Sequence, residues 1–295
     1  MYYSPILFSQ VADVNLTQYH NCNYNMEILN TKEKIIVFAL HSMGFLNKLN
    51  HFLDKICKSW ILISAMEDTQ LPLEIDNDFM NRVKTNKYFK HWFSINKTIP
   101  NDKYFTSIPY GLNYWTLTNQ SCFGENIQNF ETQNNVLEKI KSQTEHFSKR
   151  IPMIYSNFHL NFTDERHGGW RRKLINILPK NMVYYQSNNL SRTQTWKNIS
   201  KYTFVVSPFG HGFDCIRTFE ALCLGCIVIM KKSFLDIIYT DLPVLLVNEW
   251  SDINEELLKN TMINFCNKTF NYDKLKMEYW VKYVNYPFDN ALGNN

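Results

Sequence analysis

The sequence predicts an α/β protein made of two Rossmann-like lobes, and three observations lead there. Its 295 residues are about twice the length of a typical domain, which favours two lobes over one core. Short apolar runs alternate with amphipathic stretches along the chain, the pattern of strands alternating with helices. The alternation lapses over residues 123–150, where Gln, Asn, Glu, Lys and Ser displace aliphatic residues. That stretch reads as a solvated helix or linker, with a surface helix inside one domain as the alternative. The lobe boundary is therefore set there, giving lobes 1–145 and 146–295, with the last helix packing back on the first lobe.

In the first lobe, Ile35–His41 reads as a buried strand, and Gly44–Lys58 as a helix with Phe45, Leu49, Phe52, Leu53 and Ile56 on one side. The strand Trp60–Met66 follows and ends at Glu67-Asp68, before the break at Pro72. A helical patch spans Asp76–Val83, then come strands Tyr88–Phe93 and Lys103–Tyr110, closed by Pro109 and Gly111. In the second lobe the strands are Ile151–Ser156, Asn181–Gln186, Tyr202–Ser207, Cys226–Met230 and Pro243–Val247. Helices are expected at Gly169–Leu178, Ser191–Ser200 and Asp214–Leu224, with Gly225 as a C-terminal cap. A last helix opens at Asp252, whose side chain and that of Glu255 match a capping box.

Composition narrows the functional classes. Hydrophobic, aromatic and charged fractions of 45%, 15% and 20% exclude a disordered or low-complexity chain. No run of 18 apolar residues is present, so no membrane span is expected, and the start MYYSPILFSQ lacks the form of a signal peptide. A cytoplasmic protein is the expectation, in the host cytoplasm if the source is viral. A net charge of +4 is too mild for a nucleic-acid partner but suits an anionic small molecule held by a few cations. Of the seven cysteines only Cys223 and Cys226 have CxxC spacing, but Cys226 begins an apolar run and reads as a buried small hydrophobe. With no zinc knuckle, the pattern points to a reducing compartment and no metal.

The densest chemistry is the run Ser207-Pro-Phe-Gly-His-Gly-Phe-Asp-Cys-Ile-Arg-Thr-Phe-Glu220. A strand enters two glycines and a helix starts at once. Glycines admit close backbone approach, and a helix start offers N–H groups to an anion. Arg217, one turn in, can hold phosphate in a bidentate manner. Glu220, one turn further, is an acceptor suited to a pair of sugar hydroxyls. Donors followed by an acceptor describe a nucleoside-diphosphate site. In the alternative, Asp214 is only a helix cap and Arg217 and Glu220 form a surface ion pair.

From Phe204 to Trp250 the chain resembles the C-terminal signature of exostosin-like glycosyltransferases, the family 47-like group. It carries Ser207-Pro208, Gly210, Gly212, Asp214, Arg217, Glu220-Ala-Leu222, Gly225-Cys226, Leu242-Pro243 and Trp250 in the family's order. Glu67-Asp68, His91-Trp-Phe-x-x-Asn96, Ile108–Tyr114 and Tyr155-Ser-Asn157 resemble further motifs of the short viral and microbial members. Relatives carry Asp where this chain has Asn113, so Asn113 is given no catalytic role.

The resemblance implies a GT-B fold, two Rossmann-like lobes whose parallel sheets face each other across a cleft. It implies a nucleotide-sugar donor, UDP-sugar favoured, a glycan or glycoconjugate acceptor, inversion, and no metal or other cofactor. Arg217 would hold the diphosphate, Glu220 the ribose, and Arg171, favoured over Arg172 and Arg166, the leaving group. Ser207, Gly210, Gly212 and Asp214 complete the donor loop; His211 either donates to a phosphate or is an ordinary loop histidine. Asp68 and His41 end strands at the carboxyl edge and are the two candidates for the base, Asp68 being favoured. A sugar- or nucleotide-binding module without turnover is the alternative function.

Overall fold

The computed structural model describes residues 1–17, 31–159, 169–186, 190–210 and 212–289. The chain divides into two compact units, Pro5–Tyr110 with Met277–Asn295, and Met1–Ser4 with Gly111–Lys276. Each is built on a five-stranded sheet whose strand pairs are all parallel. Parallel neighbours need crossover connections, so helices cover the sheet faces and the strands are apolar almost throughout.

The first sheet runs in the order β1 (Val14–Leu16), β2 (Lys34–Leu40), β3 (Ser59–Ala65), β4 (Phe89–Ser94) and β5 (Phe105–Ser107). Helices α1 (Phe8–Val11), α2 (Met43–Leu53) and α3 (Asn77–Thr85) belong to the same unit. Asp76 caps α3 by accepting from the Phe79 amide at 2.9 Å. Val37, Trp60, Leu62, Phe79 and Trp92 form part of one buried cluster. Burying each such side chain contributes about 1.5–3 kcal/mol. The C-terminal helix Met277–Asp289 lies on this sheet, with Tyr283 against Phe93 at a ring distance of 5.8 Å. The expected strand over 103–110 contracts to β5. Asp102 Oδ1 takes the amides of Tyr104 and Phe105 in a turn at its start, and Pro109, beyond its end, offers no amide to a ladder.

The second unit follows in sequence as α4 (Trp115–Asn119), α5 (Phe130–Ser142), β6 (Ile151–Ser156), α6 (Gly169–Ile177), β7 (Val183–Tyr185), α7 (Arg192–Ile199), β8 (Tyr202–Val206), α8 (Ile216–Cys223), β9 (Ile227–Lys231), α9 (Asp236–Tyr239), β10 (Val244–Val247) and α10 (Glu255–Cys266). Ile154, Leu174, Phe204, Ile227, Ile229 and Trp250 are among its core residues. Gly225 takes φ +77° after α8, the left-handed conformation that a glycine cap supplies.

Two expectations are corrected here. The division falls at Tyr110/Gly111, not at 145/146, because residues 123–150 are no linker. Helix α5 buries Gln133, Asn134, Leu137 and Ile140. Its polar composition hides this because two of the buried residues are hydrogen-bonded amides. Gln133 donates to the Tyr114 carbonyl at 3.0 Å, and Asn134 accepts from the Tyr2 amide at 2.8 Å. The last helix of this unit starts at Glu255 with Asn254 as its cap, whereas Asp252 pairs reciprocally with Glu249 around a separate 3₁₀ turn.

Candidate functional site

The second sheet has the order β10-β9-β8-β6-β7. From β6 the chain steps outward to β7, then crosses back to β8 on the other side. The loops leaving β6 and β8 therefore part in opposite directions. A reversal of this kind opens a crevice at the carboxyl ends of the two strands, where open α/β sheets bind ligands. Asn157 and Phe158 follow β6, and Ser207–Gly212 follow β8.

Both candidate phosphate cations reach this point. Arg217, in the first turn of α8, donates from Nε to Asn157 Oδ1 at 2.6 Å and from Nη1 to Cys215 Sγ at 3.5 Å. Its guanidinium carbon lies 5.9 Å from the centre of the Phe158 ring. Among the described residues it pairs with no carboxylate. Arg171, on α6, is buried and donates from Nε to the Phe209 carbonyl at 2.9 Å. Burial, and next the charge of Arg217, push the Arg171 guanidinium down to about 10. It remains charged at neutral pH, so two cations that repel each other share one loop. A Cβ on Gly210 would stand 2.9 Å from Arg171 Nη2. Glycine at this position thus lets the loop close over the arginine. Arg172 is exposed.

The other donor-loop residues separate by role. Ser207 Oγ ties β8 to α8 through Thr218 Oγ1 at 2.9 Å and Cys215 Sγ at 3.1 Å. Buried Asp214 accepts from the Tyr239 hydroxyl at 2.5 Å and the Cys215 amide at 2.7 Å, so it clamps the loop. Cys215, rather than Asp214, is the helix cap residue. The amide of Gly210 donates to the Gly212 carbonyl at 3.0 Å. His211 and Arg166 lie outside the described residues.

Glu220 is not in a surface pair with Arg217. Its Oε1 lies 3.3 Å from Nε of Arg192, and both side chains are nearly buried, 11% and 5% exposed. Sequence reading missed Arg192, the first residue of α7. The capping box of Ser191 and Gln194 around it was the only available signal, and it marks a helix start rather than a site. Asn113 Oδ1 accepts from the amide and hydroxyl of Thr116, both at 3.0 Å, a structural task at the start of α4.

The two candidate bases sit at the carboxyl edge of the first sheet in opposite surroundings. His41 is fully buried, with Nδ1 2.6 Å from Ser64 Oγ. Since Ser64 Oγ also accepts from Trp92 Nε1 at 2.6 Å, its own proton is available to His41 Nδ1. Burial pushes the His41 imidazole down to about 3, so it is neutral at pH 7. Met66 adopts φ +77° at the end of β3, turning the chain so that Glu67 and Asp68 are exposed. Desolvation and the adjacent Asp68 charge raise the Glu67 carboxyl above its ordinary range. Among the described residues no group of three or more His, Cys, Asp or Glu is placed to hold a metal, and no helix is long and apolar enough to cross a membrane.

No protein-family model matches the chain, and no curated protein matches it in sequence. Among solved structures it is similar to the apo form of OtsA, at TM-score 0.43 and 10% identity, over 92% of this chain and 76% of that one. It is similar to an α,α-trehalose 6-phosphate synthase from Burkholderia multivorans, at TM-score 0.45 and 10% identity, over 91% and 75%. A third is sucrose-phosphate synthase from Thermosynechococcus elongatus, at TM-score 0.39 and 10% identity, over 91% and 80%.

Proposed function

We propose that the chain is a glycosyltransferase of GT-B type, exostosin-like, that moves a sugar from a nucleotide-diphosphate sugar to a glycan hydroxyl with inversion. The reading rests chiefly on Arg171 and Arg217 gathering at the β6/β8 crossover, beside the glycine loop. An anion there relieves the repulsion between the two cations and gains charge-assisted hydrogen bonds. A diphosphate leaving group develops negative charge as the anomeric C–O bond breaks, which is where fixed cations lower a barrier. The arginines supply that charge, and the proposal includes no metal. Glu220 accepts from the ribose hydroxyls. The acceptor hydroxyl oxygen forms the new bond to the anomeric carbon, the bonding pair departs with the nucleoside diphosphate, and Asp68 takes the hydroxyl proton. His41 is the poorer base, since it is fully buried with Nδ1 engaged by Ser64, whereas Asp68 is exposed to an incoming hydroxyl. UDP-sugars are the favoured donors.

The test is incubation with UDP- and GDP-sugars, with and without glycan acceptors, reading nucleoside diphosphate release and product anomeric configuration. Release from one donor, insensitive to chelator and with inversion, is expected. Donor binding without release under any acceptor indicates a binding module without turnover. Failure to bind any nucleoside diphosphate contradicts the transferase and a nucleotide-binding module alike.

A further inference from the structure

Arg192 is unusual for an arginine, with 6% of its surface exposed. Its position is fixed from several sides. The Ser191–Gln194 capping box sets the first turn of α7, and the Arg192 amide donates to the Phe123 carbonyl at 2.8 Å. Nη1 donates to the Asn113 carbonyl and to Gln133 Oε1, both at 2.9 Å. The guanidinium carbon lies 4.7, 5.3 and 5.9 Å from the ring centres of Trp196, Phe123 and Tyr114. Nη2 is buried and, among the described residues, has no hydrogen-bond partner. A group so enclosed has one orientation, and in it Nε points to Oε1 of Glu220. Among the described residues Glu220 Oε2 makes no hydrogen bond, and the side chain keeps 11% of its surface exposed.

We propose that Arg192 is a positioning residue for the donor nucleotide. It holds one oxygen of Glu220 and leaves the other directed at the ribose hydroxyls, an inference that rests on the ribose role given to Glu220 above. A carboxylate on a free side chain samples several rotamers, and each hydrogen bond to a hydroxyl then carries an ordering cost. A carboxylate fixed by a guanidinium in a water-poor setting has met that cost in the folded protein, so it discriminates between a ribose and a ribose lacking a hydroxyl. Arg192 therefore governs how strictly the site requires ribose, without touching the donor.

The experiment is calorimetric titration of UDP against 2′-deoxy-UDP and of GDP against 2′-deoxy-GDP, with inorganic pyrophosphate as control. The proteins are wild type, Arg192→Lys and Glu220→Gln. Wild type should prefer the ribonucleotide by about tenfold or more, the worth of a hydrogen bond to a charged acceptor. Arg192→Lys should narrow that preference to within about threefold while pyrophosphate affinity holds, because a lysine cannot fix the carboxylate through a rigid fork. An equal loss for both nucleotides, or an unchanged preference, overturns the positioning role. A preference that survives Glu220→Gln overturns the ribose role of Glu220 instead, so the two failures are distinct. A wild-type complex with UDP decides the matter even if the variants do not fold. Arg192 should remain on Oε1 with a ribose hydroxyl on Oε2, and an Arg192–Glu220 pair broken by the nucleotide overturns the inference.

Discussion

The two sheets have the same number of parallel strands, yet their carboxyl edges differ in strand order and in charge. In the first, the described strands run β1-β2-β3-β4-β5 without reversal, and the polar residues near the centre are enclosed. His41, Ser64, Trp92 and Ser94 hydrogen-bond among themselves or to the adjacent chain, and all are buried. The acids Glu67 and Asp68 lie outside that enclosure. In the second, the order reverses between β6 and β8, and two arginines with mutual repulsion meet at the reversal. In the proposed reading, a Rossmann-like unit acquires its anion site through where the strand order turns, together with which side chains stand there. The strand-helix alternation supplies neither by itself.

The largest expected effect divides the edges by task. Asp68→Asn should lower turnover by two to four orders of magnitude, the usual worth of a positioned base. Nucleotide affinity should change little, because the proposed donor contacts belong to the other unit. Steady-state rates and calorimetry on one preparation check this; full turnover in the variant removes Asp68 from the chemistry. Next is Glu220→Ala, which should cost about 3–5 kcal/mol of stability by leaving Arg192 charged, buried and unpaired. Denaturant unfolding measures it, and a loss below about 1 kcal/mol would mean that the pair is not desolvated.

A smaller effect is expected at Gly210. Ala there drives a Cβ to 2.9 Å from the flexible end of Arg171. UDP affinity should fall about fivefold, equivalent to ~1 kcal/mol, with the melting temperature nearly unchanged. Unaltered affinity would separate Arg171 from the anion site. The last concerns the enclosed edge. The His41 imidazole is lowered to about 3 in the folded protein, from an ordinary 6.5. Between those values the unfolded chain takes up a proton that the folded chain refuses. This contribution to stability is therefore full above about pH 6.5 and is lost as the pH falls toward 3. The slope is at most about 1.4 kcal/mol per pH unit. Unfolding measured at several pH values between 7.5 and 4.5 should show it, and His41→Gln should flatten it; equal slopes would mean that His41 is not held neutral.

Much of the site was legible as local pattern. The Ser207–Glu220 run named the loop, Arg217 and Glu220, whereas Arg171 entered only as what the family resemblance implies. Short-range spacing reaches Arg217 and Glu220 because both lie within the first two turns of the helix that follows the loop. What stayed hidden depends on long-range contacts. The Arg217 bond to Asn157 joins residues 60 apart, and the Arg192 bond to Glu220 joins residues 28 apart. Asp214 looked like a phosphate-loop or capping residue until Tyr239, 25 residues on, was seen to occupy it. The boundary was misplaced for a similar reason. Gln133 and Asn134 look solvated in sequence but are buried through hydrogen bonds to Tyr114 and Tyr2. Composition records polarity, and burial depends on whether partners arrive from elsewhere.

The central claim is that the arginines at the β6/β8 reversal bind a nucleoside diphosphate, and the direct measurement is calorimetric titration of UDP and GDP into wild type and Arg217→Ala. Losing one charge-assisted phosphate contact is worth roughly 1.5–3 kcal/mol. We predict saturable binding of at least one nucleotide by wild type and affinity about ten- to a hundred-fold weaker in the variant. The melting temperature should be nearly the same, because Arg217 is only half-buried. Equal affinity in a folded Arg217→Ala protein would contradict the claim.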